Sequence, residues 1–105
     1  MAGKFTAHET LAAAGSVATP ATTAAAIAQY GVAYVLCSTT AAVRFTVDGQ
    51  TDPVITGGSE VGCLLDTTDK VVLTIEEFLN SRWLDVSTDA RIQFEFLAQS
   101  RRQDF

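Results

Sequence analysis

From Val32 onward the chain alternates. Val43, Phe45 and Val47 are separated by Arg44 and Thr46, and Asp48-Gly49 closes the run. A period of two turns one set of side chains toward a core and the other toward water. Asp-Gly accepts the positive φ that a reversal needs. Residues 90–97 repeat the pattern, with Ile92, Phe94 and Phe96 on one face and Arg91, Gln93 and Glu95 on the other. Residues 31–36 differ. Val32, Tyr34 and Leu36 fall on one face and Ala33, Val35 and Cys37 on the other, so both faces are apolar. Such a strand is central or covered by a neighbour.

The same reading places further strands at residues 41–47, 60–65, 70–75 and 82–86. Turns fall at 38–40, 66–69 and 87–89, and a loop at 50–58 carries Asp52-Pro53 and Gly57-Gly58. Residues 76–80 form a single helical turn or a bulge. Six or seven short, closely spaced strands predict an all-β sandwich or barrel. The N-terminal third breaks the pattern. Residues 4–10 form a short strand or an extended arm, and 11–28 consist of Ala, Thr, Gly and Val with one Pro. That segment is expected to be extended or irregular. The alternative is a short helix at 21–29, opened by Thr19 and Pro20 and ended by Gly31. The chain therefore divides into an Ala/Thr-rich arm at 1–30, a β core at 31–98 and a C-terminal tail at 99–105. Small residues bury little area, so the arm is expected to gain order by laying its backbone along an exposed sheet edge of a neighbouring chain.

Composition narrows the function. A chain of 105 residues is one domain. Surface scaling gives roughly 5,700 Å² folded against roughly 16,000 Å² unfolded, enough burial for one modest core. Sixteen of the residues are alanine, so the large core-forming set is smaller than the 48% hydrophobic content suggests. The net charge of −5 and pI of about 4.5 argue against nucleic acid and against an anionic membrane surface as partners. No apolar run reaches the length of a membrane span. The N-terminus lacks the apolar core of a secretory signal, which predicts synthesis in the cytoplasm.

No catalytic set assembles from the residue types. His8 is the only histidine and lies in the weakly patterned arm beside Glu9. Glu76 and Glu77 are adjacent, and on a strand they point to opposite faces. Asp48, Asp52, Asp66 and Asp69 fall in turns, where Asp bonds to the backbone, and EF-hand spacing is absent. Cys37 and Cys63 read as small hydrophobes; two cysteines and one histidine do not close a tetrahedral metal shell. Gly57-Gly58 lacks the Lys-Ser/Thr of a phosphate loop. Neither cofactor nor metal is expected. Trp83 reads as a core aromatic with Arg82 on the opposite face, or as an interface anchor, since Trp and Arg dominate binding hot spots. The interface candidates are Phe5, His8, Tyr30, Arg82 and Trp83, with Arg101, Arg102 and Phe105 in the tail.

The order Val43-Arg44-Phe45-Thr46-Val47-Asp48-Gly49, Asp52-Pro53, Gly57-Gly58, Leu73-Thr74-Ile75, Arg82-Trp83-Leu84 and Ile92-Gln93-Phe94-Glu95-Phe96 resembles small β-sandwich virion proteins of tailed bacteriophages. The resemblance covers about two-thirds of the chain, residues 32–97. It departs at 76–81 and in the N-terminal third. It implies a jelly-roll-like or immunoglobulin-like sandwich with a non-enzymatic, structural role. The expected role is a capsid decoration (cement) protein on the virion surface, a homotrimer that binds and stabilises the major capsid protein shell. The alternatives are a tail, head–tail connector or fibre-base component, or a carbohydrate-binding adhesion module using Tyr30, Tyr34 and Trp83.

Overall fold

The computed structural model describes residues 3–99, and the side chains of residues 8–98. Seven strands and two short helices follow in the order β1 (Gly3–Ala13), α1 (Ala24–Tyr30), β2 (Val32–Thr39), β3 (Val43–Thr46), β4 (Cys63–Leu65), β5 (Val71–Leu73), α2 (Ile75–Leu79), β6 (Arg82–Asp85) and β7 (Ala90–Gln99). The strands form two antiparallel sheets, ordered β1-β7-β2-β5 and β4-β3-β6. The fold is all-β in class.

The alternation of β7 holds, and that of β3 holds over Val43–Thr46, with Val47 half-buried beyond the strand's end and Arg44 and Thr46 half-buried. Ile92, Phe94 and Phe96 are buried while Arg91 and Gln93 are exposed, and Val43 and Phe45 are buried on β3. The two inward rows meet in one aromatic core. Phe45 stacks on Trp83 within the three-stranded sheet, with ring centroids 4.6 Å apart. Trp83 meets Phe94 of the other sheet edge-on at 5.4 Å. Phe78, from α2, sits edge-on to Phe94 at 5.0 Å and to Phe96 at 5.3 Å. Burying each of these side chains stabilises the fold by about 1.5–3 kcal/mol. Edge-to-face geometry adds to that because the positive ring edge meets the negative face. The single hydroxyl of the buried Ser81 is engaged in both directions: it accepts the Trp83 indole N–H at 2.9 Å and donates to the Phe78 carbonyl at 2.7 Å.

Among the described residues, the N-terminal third pairs with the β core of its own chain. Residues 3–13 pair along β7 from Gly3↔Gln99 to Ala13↔Ala90, with one irregularity between Phe5 and Ala7. The strand continues past residue 10, because Leu11 and Ala13 face Ile92 and Ala90 on the core side. The connection that follows ties the two sheets together. The Gly15 N–H donates to the buried Asp85 carboxylate at 2.7 Å. Ala18 and Trp83 exchange backbone hydrogen bonds of 2.8 and 2.9 Å, extending the β6 edge. The Glu9 carboxylate accepts from the Ala21 and Thr22 N–H groups and from the Thr22 hydroxyl at 2.6–3.0 Å. Backbone pairing at sheet edges therefore occurs within the chain, along β7 and at β6.

Residues 24–30 are helical rather than extended or irregular, so the alternative helix near residue 21 exists, but it starts later than the sequence suggests. Thr23, not Thr19, is its cap, accepting from the Ala26 N–H at 3.2 Å. Glu9 holds the N–H groups of residues 21 and 22, so these remain extended. Gly31 ends the helix in the left-handed region at φ +69°, as expected. The segment around residues 76–80 is helical rather than bulged, spanning Ile75–Leu79 with Asn80 as its C-cap. Thr74 and Glu77 form a reciprocal capping box, each side chain bonding the other's backbone N–H. The predicted turn at 38–40 begins too early, since β2 runs to Thr39, whose partner is Ile92.

Candidate functional site

β2 lies between β7 and β5, central as its two apolar faces predict. Its inner face, Val35, Cys37 and Thr39, is buried. Among the described residues its outer face is left open at Tyr34 and Val72 and half-buried at Leu36 and Leu97. Tyr34 is 48% exposed, opposite Leu97 of β7. Leu36 lies between Glu95 of β7 and Val72 of β5, and Val72 is 55% exposed. An irregularity between Val32 and Tyr34 turns Val32 back against the core, so the outer row begins at Tyr34. Tyr34, Leu36, Val72 and Leu97 thus form an apolar patch spanning three strands. A fully wet sheet face would alternate to polar side chains here, as β7 does at Arg91 and Gln93.

The other end of the same face is polar. Gln93 lies opposite Thr10 on β1 and Ser38 on β2. These residues, with Thr39, Thr40 and Arg91, line an open hollow of about 330 Å³. The Arg91 backbone N–H donates to the Thr40 hydroxyl at 2.9 Å, and the Thr40 N–H returns a bond to the Arg91 carbonyl at 3.1 Å. Two hydrogen bonds therefore close the corner between β2 and β7.

The sequence candidates scatter. Trp83 is fully buried, which makes it the core aromatic and removes it as an interface anchor or a sugar platform. Arg82 is a clamp within the chain. Its guanidinium donates to the Gly49 and Gln50 carbonyls at 2.7 and 3.1 Å and to the Asp52 carboxylate at 2.7 Å, pinning residues 49–52 to β6. Tyr30 is 45% exposed on the last turn of α1. His8 is exposed on β1, opposite Glu95, on the same outer face as Gln93. Phe5 pairs through its backbone with Leu97. Arg101, Arg102 and Phe105 lie outside the described residues.

Compared with known families, curated proteins and solved structures, the chain matches none. The chemistry of the site therefore rests on its own residues. Among those described, no group of three or more His, Cys, Asp or Glu side chains is placed to hold a metal ion. Among the described residues, no helix is long and apolar enough to cross a membrane. Cys37 and Cys63 are both free; Cys37 is buried and Cys63 exposed. Burial pushes the Cys37 thiol up to about 12, far from the range of a reactive thiolate. Asp48 accepts from the Thr51 hydroxyl and from the Thr51 and Gln50 N–H groups, which hold its carboxyl down at about 2.

Sequence reasoning named Tyr34 and missed Leu36, Val72 and Leu97. The signal was present in the doubly apolar β2, read there as a strand that is central or covered by a neighbour. The polar hollow left no local signal, because Thr10, Ser38, Thr40, Arg91 and Gln93 come from three separate segments.

Proposed function

We propose that this chain is a non-enzymatic structural protein that docks on another protein through the outer face of its four-stranded sheet. In this reading the two sheets form a sandwich of the jelly-roll-like or immunoglobulin-like kind. The observation that carries the reading is the partly exposed apolar patch of Tyr34, Leu36, Val72 and Leu97 on a central strand and its neighbours. A contiguous apolar patch on a sheet face is a site for a protein partner.

Charged side chains support the same reading. Glu9, Asp48, Glu77, Arg82 and Asp85 all bond to backbone groups of this chain. Their work is to hold loops and sheet edges. The resemblance of the sequence segments in residues 32–97 to small virion proteins of tailed phages is what points to a phage shell as the proposed partner, with the chain as a decoration protein of the virion. A trimer bridging neighbouring capsid subunits would multiply weak contacts through multivalency.

Co-sedimentation of the purified chain with empty capsid shells tests this directly, combined with the shells' resistance to heat and low salt. Binding and added resistance are expected, with Val72→Lys weakening binding by about tenfold or more while leaving the circular dichroism spectrum unchanged. Absence of wild-type binding and of added resistance overturns the proposal.

A further inference from the structure

The polar hollow at the other end of the docking face is lined by one cation, Arg91, and by hydroxyl and amide groups that can donate as well as accept. Thr10, Gln93 and Ser38 form one row across β1, β7 and β2, and Arg91 follows two residues along β7. Directly opposed residues in such a row have Cβ atoms about 4.5–5.5 Å apart. Among the described residues, nothing binds the Arg91 guanidinium, the Gln93 amide, or the Ser38 and Thr10 hydroxyls. The Thr40 hydroxyl accepts the Arg91 backbone N–H, which leaves its own proton to donate outward. The set offers one cation, one amide and three hydroxyls.

These groups fit a carboxylate. A guanidinium fork receives two carboxylate oxygens, and hydroxyl and amide donors satisfy the remaining lone pairs. Arg91 is the one cation lining the hollow, in a chain with net charge −5, so a monoanion suits it better than a phosphate dianion. No aromatic ring lines the hollow, so a sugar ring would find no stacking surface.

We infer that this hollow receives an aspartate or glutamate side chain of the protein on which the sheet face docks. The source of the carboxylate rests on the docking reading; the binding chemistry of the hollow does not. The docking face then has two unlike ends: an apolar patch that supplies contact area, and a carboxylate receptor that sets register.

The test uses the intact chain and two-dimensional amide NMR. N-acetyl-glutamate N-methylamide is the probe and N-acetyl-glutamine N-methylamide the neutral control. Saturable shifts at Thr10, Ser38, Thr40, Arg91 and Gln93 with the acid alone are expected. Arg91→Gln should lower the affinity by about tenfold or more, the loss expected on removing a charge-assisted pair. Arg91 is exposed, so its replacement should leave the remaining spectrum in place. No saturable shift, equal shifts from the neutral control, or unchanged affinity in Arg91→Gln overturns the inference. Galacturonate binding more tightly than the glutamate probe would assign the hollow to acidic sugars and overturn the protein source. Because the probe needs no shell, glutamate binding without shell binding would strike the docking reading alone. Shell binding unaffected by Arg91→Gln, with no probe binding, would strike the hollow alone.

Discussion

The indole N–H of Trp83 donates to the Ser81 hydroxyl at 2.9 Å, two residues earlier on the same segment, and both side chains are fully enclosed. Trp83 is also where the two sheets meet, through Phe45 on one side and Phe94 on the other. Ser81→Ala strips the indole of its acceptor and leaves a buried donor unsatisfied. The expected loss is about 1–3 kcal/mol in urea unfolding, with an unchanged m-value. In the Trp83→Phe background the donor is absent, so the same Ser81→Ala change should cost less. Equal costs in both backgrounds would contradict the pairing.

Gly62 and Gly31 both occupy positive φ, at +104° and +69°, but in different surroundings. A Cβ on Gly62 would stand 2.8 Å from the Phe45 carbonyl oxygen, a backbone atom of the central strand of its sheet. A Cβ on Gly31 would meet nothing within 4 Å. Gly31→Ala should therefore cost about 1 kcal/mol, the left-handed penalty alone. Gly62→Ala should cost clearly more, read as a larger drop in the urea midpoint.

The two thiols should be distinguishable in the native protein. A thiol reagent at pH 8 should modify Cys63 quickly and leave Cys37 untouched until the chain unfolds, giving one reactive thiol folded and two in denaturant. The pH dependence has a definite sign. Below about pH 9 the Cys37 thiol is protonated in both states. Between about 9 and 12 only the unfolded chain ionises, so this group's contribution to stability falls as pH rises through that window.

Asp48 works in the opposite direction. Its folded carboxyl titrates near 2, against an ordinary value of 3.8, because Thr51 and Gln50 bond the charged form. The stabilisation is complete above about pH 4 and is lost as pH falls toward 2. The stability gap between the native chain and Asp48→Asn should accordingly narrow over that interval. A carboxyl midpoint near 4 by NMR would contradict the turn geometry.

Legibility from sequence followed the range of the interaction. Val43, Phe45, Ile92, Phe94 and Phe96 alternate within single strands, and their burial was readable from period two alone. Gly31 as a helix stop and the helical turn before Ser81 also carry local signals. β1 did not show itself beyond residue 10, because Leu11-Ala12-Ala13 offers no contrast between faces. What makes it a strand is β7, some eighty residues away in sequence. The tie between Gly15 and Asp85 spans 70 residues, and Glu9 reaches across 12 and 13 to residues 21 and 22. Those bonds decide where α1 begins, so Thr19 was a reasonable cap with the wrong competitor in view. Tyr34 and Leu36 were legible as apolar but not as partly exposed, since that depends on which strands flank β2.

Hydroxyl-radical footprinting of the chain, free and bound to shells, measures the docking face most directly. The account predicts that Tyr34, Leu36, Val72 and Leu97 lose reactivity on binding, while Leu64 and Ile55, exposed elsewhere in the fold, keep theirs. Protection of Leu64 and Ile55, with Tyr34 and Val72 as reactive as in the free chain, would contradict it.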